Sequence, residues 1–321
     1  MFLKSATTLI FASLLGMTGY AQAEFPEKEV SIVIPYGPGG GFDRAVRSFA
    51  PFFAKQLGED TVVLPVNKPG AGGRLGTTTV FRAKPDGYTL AILNLPGFAL
   101  PEILKERVDY DLRKMSWIGR LESQNYFLLV SAKSDIYSLE DLQSQENITF
   151  LSTGYGSTVL AAAQIAAASL GLNEKSPIYI TGYESTSNAL VGLVRGDGNV
   201  AVSPVSSSSK YIESGDLRAI AVSGDEAIGD VQTFAQLGYP KLTKLNLERA
   251  IAGPPGMAPE LLAKLRKAFD AAVQDPDFLI QAKKARMDVL PLNGEQARES
   301  LEDSYRFYEQ FSASLSNPNA N

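Results

Sequence analysis

The chain has 321 residues, 45% of them hydrophobic, and a formal net charge of −5. That length suggests about two globular domains at the usual 100–200 residues each, and no run of Lys or Arg reads as a nucleic-acid surface. There is no His and no Cys, which excludes Ser-His-Asp triads, Cys-His pairs, His-zinc sites, thiolate chemistry and disulfides together.

At the N-terminus a single cation, Lys4, precedes an apolar stretch over residues 8–17, and Ala21-Gln22-Ala23 follows as a small-x-small triplet. This is the layout of a secretory signal peptide. The stretch is too short for a membrane span, which takes about 20 residues. Cleavage is expected after Ala23, with residues 1–23 removed. Without Cys there is no site for a lipid anchor, so the expected location is the periplasm.

Residues 30–35 (VSIVIP) predict a buried strand. A Gly-Pro loop at 37–41 follows. Ala45, Val46, Phe49, Phe53 and Leu57 then recur at helical spacing and predict a helix over 44–57, with Asp43 as its cap. A strand at 61–66, a Gly-rich loop at 69–73, a helix at 75–83, the turn Lys84-Pro85-Asp86-Gly87 and a strand at 88–93 complete this block. Further strands are predicted at 126–131, 148–152, 178–180, 200–202 and 218–223. Helices are predicted at 139–142, 158–170 and 187–195, and later at 260–273 and 296–314. Such alternation argues for α/β architecture, each domain a mostly parallel sheet flanked by helices. The strands at 126–131 and 218–223 bracket the middle block and are read as two crossings between domains. One domain is then discontinuous (24–125 plus 223–321) and encloses the other (126–222).

Three loops at strand ends are suited to an anion, because ligands favour the carboxyl ends of parallel strands and helix N-termini carry partial positive charge. The first offers Tyr36, Gly39, Gly40, Phe42 and Asp43; its plain reading is a tight turn. The second offers Gly72 and Arg74. It fails as a dinucleotide fingerprint, because Leu75 stands where a third glycine is needed, and no Gly-Lys-Ser/Thr makes a P-loop. The third offers Tyr155, Gly156, Ser157 and Thr158, where Ser157 or Thr158 also suits a helix cap. Tyr183, Glu184, Ser185 and Thr186 form a related cluster after the next strand, and Ser203 ends the one after that. Asn94 and Phe98, following the strand at 88–93, are expected to set pocket size. No catalytic residue, metal or cofactor is expected, since nothing pairs a nucleophile with a base. A hydrolase or lyase using Asp43 or Glu184 is the weakest alternative.

The motif Val33-Ile34-Pro35-Tyr36-Gly37-Pro38-Gly39-Gly40 with Asp43 and Arg47, then Asn67-Lys68-Pro69-Gly70-Ala71-Gly72-Gly73 with Gly76, then Ala83-Lys84-Pro85-Asp86-Gly87-Tyr88-Thr89-Leu90, resembles the substrate-binding proteins of tripartite tricarboxylate transporters, the Bug receptors. Weaker likeness runs to Pro254-Pro255-Gly256-Met257-Ala258-Pro259. The resemblance implies a two-domain periplasmic binding protein, a type II Venus flytrap, acting as a monomer that is not an enzyme. Its implied ligand is a small organic acid: a di- or tricarboxylate, or an aromatic carboxylate. Its implied partners are the integral membrane subunits of the transporter. A periplasmic sensor feeding a membrane kinase would share this fold. The sequence departs from the family pattern in three places. Val159 and Leu160 stand where His is frequent, Ser203 where Asp is usual, and Arg74 where Asn is usual. Loss of an acid and gain of a cation suggest a more anionic ligand.

Overall fold

The computed structural model describes residues 25–315. The expected signal peptide therefore lies outside the described residues. The first elements are β1 (Val30–Ile34), α1 (Gly41–Leu57), β2 (Val63–Asn67), α2 (Arg74–Phe81), β3 (Thr89–Leu95) and the short α3 (Leu100–Ile103). β1 pairs in parallel with β2 on one side and β3 on the other. Apolar runs made these strands readable, and burial is nearly complete along β1 and β3.

β4 (Ser116–Ser131) then runs for 16 residues without a break. The middle block follows: α4 (Leu139–Ser144), β5 (Thr149–Thr153), α5 (Thr158–Ser169), β6 (Ile178–Tyr183), α6 (Thr186–Arg195), β7 (Val200–Pro204), α7 (Val205–Glu213) and β8 (Leu217–Val222). The chain returns through β9 (Asn246–Gly253), α8 (Pro259–Val273), α9 (Pro276–Lys284), β10 (Val289–Asn293) and α10 (Gly294–Glu309).

Strand order is β2-β1-β3-β9-β4-β7-β5-β6, with β8 and β10 also joined to β4. The pairings fall into two sheets that share one strand. Residues 116–125 of β4 lie antiparallel to β9. Residues 126–131 instead pair with β7 and β8. Each sheet is thus mixed: its outer part is parallel, and the strands around β4 are antiparallel. We refer to the two halves as the first and second lobes.

Helix α1 presents its predicted apolar stripe to the first sheet. Phe49 stacks on Phe53 at 5.2 Å and meets Phe269 of α8 at 5.4 Å and Phe278 of α9 at 5.8 Å. Each ring taken wholly out of water contributes about 1.5–3 kcal/mol. Helix α5 is apolar on all sides, and ten of its residues are buried, the pattern of a helix enclosed by its neighbours. The structure differs from the sequence expectation at α1. The helix starts at Gly41, with Gly40 as N-cap and no side-chain cap. Asp43 sits inside the first turn instead of capping it from outside.

Candidate binding cleft

The loops after β1, β5 and β6 each end at a helix N-terminus on one cleft of about 880 Å³. That size is ordinary for a small-molecule site. Ser157 caps α5 by accepting from the Leu160 N–H at 3.2 Å, and Ser185 caps α6 by accepting from Asn188 at 3.2 Å. Each hydroxyl keeps its own proton available for donation. α1 has no such side-chain cap, so the first-turn N–H groups behind Gly39, Gly40 and Gly41 remain available to an acceptor.

Fifteen of the candidate residues lie on this cleft: Tyr36, Gly39, Gly40, Phe42, Gly72, Arg74, Asn94, Phe98, Tyr155, Gly156, Ser157, Thr158, Glu184, Ser185 and Thr186. Tyr36, Phe42 and Phe98 form an aromatic wall, with ring centroids 4.7 Å and 6.0 Å from Tyr36. Burial pushes the Tyr36 phenol up to about 12, so it stays protonated. Gly73 makes room for the wall. Its φ of +97° suits glycine, and a Cβ there would lie 2.7 Å from the Phe98 ring.

Three candidates are not on the lining. Asp43 is 4% exposed and spends its carboxylate internally. Its oxygens accept from Gly39 N–H at 2.9 Å, from Arg47 Nε at 2.9 and 3.0 Å, and from the Asn67 amide at 2.9 Å. Burial raises its pKa, but these hydrogen bonds outweigh that and hold the carboxyl below its ordinary value. Asp43 therefore ties the first loop to α1 and β2. Tyr183 turns away to donate to Asp197 at 2.6 Å. Ser203 is fully buried, because β7 lies between β4 and β5, and its hydroxyl donates to the Pro204 carbonyl at 3.2 Å. The chain reaches the cleft just beyond, at Pro204, Ser206 and Ser207. Ser203 therefore cannot account for a more anionic ligand. Arg74 does line the cleft, but Glu106 neutralises it at 2.6 Å.

The sequence reading missed the floor. Asn94 on β3 is directly opposite Arg249 on β9, and Arg249 is directly opposite Glu122 on β4. Opposed residues share a face of the sheet, so the three form a row across it. Arg249 donates to Glu122 through Nη1 at 2.5 Å, and its guanidinium lies 4.6 Å from the Phe42 ring. Glu122 also accepts from Gln124, whose Oε1 accepts from Ser206 of the second lobe at 2.7 Å. A Cβ on Gly41 would fall 2.6 Å from Arg249 Nη2, so only glycine lets the guanidinium lie this close to the loop. Arg44 and Arg286 also line the cleft, giving four arginines against Glu122 and Glu184. Even with Glu106 set against Arg74, positive charge is in excess. The charged Glu248-Arg249 pair inside the apolar stretch 245–253 was the available signal.

Among the described residues, no group of three or more His, Cys, Asp or Glu side chains is placed to hold a metal ion. No helix among them is long and apolar enough to cross a membrane.

Residues 45–308 match the profile of the tripartite tricarboxylate transporter family receptor. The chain belongs to that family. Members of this receptor family bind substrate and do not transform it. Among curated relatives, a UPF0065 protein of Cupriavidus necator is 29% identical over 294 residues, covering 88% of this chain and 86% of its own. Protein BugT of Bordetella pertussis is 27% identical over 279 residues, covering 83% and 82%. Among solved structures, the periplasmic binding protein BugD superposes with a TM-score of 0.75 at 24% identity, covering 90% of this chain and 98% of that one. MatC from Rhodopseudomonas palustris, with bound malate, gives 0.76 at 22%, covering 90% and 100%. A second R. palustris protein, with adipate, gives 0.73 at 18%, covering 91% and 98%. At these identities the likeness shows the shared periplasmic-binding-protein fold. The family receptor therefore has the expected architecture.

Proposed function

We propose that the chain is exported to the periplasm and captures a small organic carboxylate between its two lobes. It then presents the ligand to the membrane subunits of a tripartite tricarboxylate-type transporter. The lobes on this reading are residues 24–125 with 223–321, and residues 126–222. The switch of β4 from β9 to β7 and β8 at residue 126 supports that division.

One observation carries the reading: α1 from the first lobe and α5 and α6 from the second direct their N-termini at the same cleft. Each terminus offers unpaired N–H groups and about half a positive charge. A carboxylate held there needs no dedicated counter-ion, and a diacid can engage both lobes and draw them together. The positive excess around the cleft acts in the same direction. The malate and adipate in the two R. palustris neighbours are ligands of this chemistry.

The test is a thermal-shift screen of organic acids followed by calorimetry. At ~100 times its dissociation constant, a true ligand stabilises the fold by about 2.7 kcal/mol. A purified protein that ignores every mono-, di- and tricarboxylate in the screen overturns the reading. Delivery is tested separately, by ligand-dependent co-purification with the membrane subunits.

A further inference from the structure

A side chamber of about 390 Å³ lies between α7 of the second lobe and the end of α9 of the first. It adjoins the main cleft, because Ser206, Arg286 and Met287 line both. Its walls are largely apolar. Val205 and Ser209 form the α7 side, and Leu279, Ala282 and Met287 the α9 side. The Ser209 hydroxyl is already engaged by the Val205 carbonyl at 2.8 Å. Leu279 is 45% exposed, so part of this apolar wall meets water. The charged residues of the chamber, Glu213 and Asp288 against Lys283 and Arg286, are all exposed and cancel in sign.

The threshold between cleft and chamber consists of side chains that can yield. Arg286 has φ +55°, the left-handed conformation after a helix where glycine is usual. The Met287 N–H bonds back to the Ala282 carbonyl at 3.0 Å. This turn ends α9 with Met287 buried and Arg286 exposed. Both side chains are unbranched and flexible, and the Arg stem offers methylenes while its head stays in water. The third residue, Ser206, is small, and its hydroxyl donates to Gln124 at 2.7 Å.

We propose that the chamber is a subsite for an apolar extension of the bound acid. The carboxylate head stays in the main cleft, and an alkyl or aryl tail passes Ser206 and Met287 to lie between α7 and α9. This rests on reading the cleft as an organic-acid site and adds to it a tail-bearing class of acid. A tail is favoured there because it covers exposed apolar surface. A second charged group is not, because the walls would strip its water without supplying partners. A tail in the chamber touches both lobes, so it also contributes to closure.

Calorimetry on the intact protein with three matched pairs tests this: butanoate and octanoate, succinate and hexylsuccinate, benzoate and 4-butylbenzoate. In the pair that binds best, the longer acid is expected to bind at least about tenfold tighter, since each methylene taken from water favours the complex. Ser209→Phe fills the chamber from α7, and Leu279→Glu sets a charge on its opposite wall. Each variant brings the ratio to about one while the shorter acid binds as before. Neither residue lines the main cleft. Equal affinity within every pair that binds, or a tail advantage retained by either variant that melts like the parent, overturns the subsite while leaving the carboxylate site standing. Binding of none of the six acids overturns the carboxylate reading and this inference with it.

Discussion

Tyr155 and Glu106 meet across the cleft: the second-lobe phenol donates to the first-lobe carboxylate at 2.9 Å. Arg74 holds the other oxygen of the same carboxylate at 2.6 Å. Burial, reinforced by the bond to Glu106, pushes the Tyr155 phenol up to about 12, so it remains a donor throughout the physiological range. On the proposed two-lobe reading, this contact belongs to the closed form.

Removing this bond should weaken ligand capture without touching the fold. Tyr155→Phe loses about 1 kcal/mol of closure, roughly fivefold in dissociation constant. Calorimetry gives the affinity, and small-angle scattering gives the compaction on binding. An unchanged affinity in the phenylalanine variant would show that the latch adds nothing to closure.

Stability should depend on pH through Glu102. Burial pushes its carboxyl up from 4.5 to about 7. The hydrogen bond from Tyr305 opposes the rise, and the nearby charge of Asp111 adds to it. Between those two values the folded protein holds a proton that the unfolded chain has released. Stability from this group is therefore complete below pH 4.5 and is lost as pH rises through 7. Glu102→Gln removes that loss, so the melting temperature of the variant relative to the parent should climb between pH 5 and pH 8. A constant difference across that range would contradict the assignment.

The Arg249–Glu122 pair should show the asymmetry of buried charges. Arg249→Met or Glu122→Leu alone strands a charge at a site that is 8% or 0% exposed, and should cost about 3–5 kcal/mol. The double variant should recover most of that loss in urea denaturation, yet bind organic acids poorly, because the guanidinium is gone. Recovery of stability together with full binding would make the pair purely structural.

The parallel strands and the loops that face the cleft were legible because their cause is local. β1, β3 and β5 are short apolar runs, and each is followed by glycine or hydroxyl residues that a strand-to-helix turn requires. The antiparallel centre was not legible. Only residues 126–131 of β4 were read as strand, and β9 was passed over, because Glu122, Glu248 and Arg249 interrupt the apolar pattern. Those charges are tolerated only because partners lie far along the chain: Arg249 meets Glu122 127 positions away, and Arg120 meets Glu248 128 positions away at 2.6 Å. α7 was missed for a different reason. Its run Ser206-Ser207-Ser208-Ser209 favours turns, but Ser208 and Ser209 return hydrogen bonds to the carbonyls of Pro204 and Val205 one turn back. Within the site, aromatic and glycine residues were placed by motif, whereas the outward turn of Tyr183 depends on Asp197, which local sequence does not announce.

The unbroken run of β4 through both sheets restricts how the halves can travel. A strand hydrogen-bonded to β9 along one stretch and to β7 and β8 along the next acts like the spine of a book. The two covers can swing, but sliding one past the other would shear the ladder on either side. On the proposed two-lobe reading, admission and release of a ligand would be a swing about residues 125 and 126 of β4 and the second connection between β8 and β9, and substitutions that stiffen or loosen those spots should change the rate of opening more than the choice of cargo.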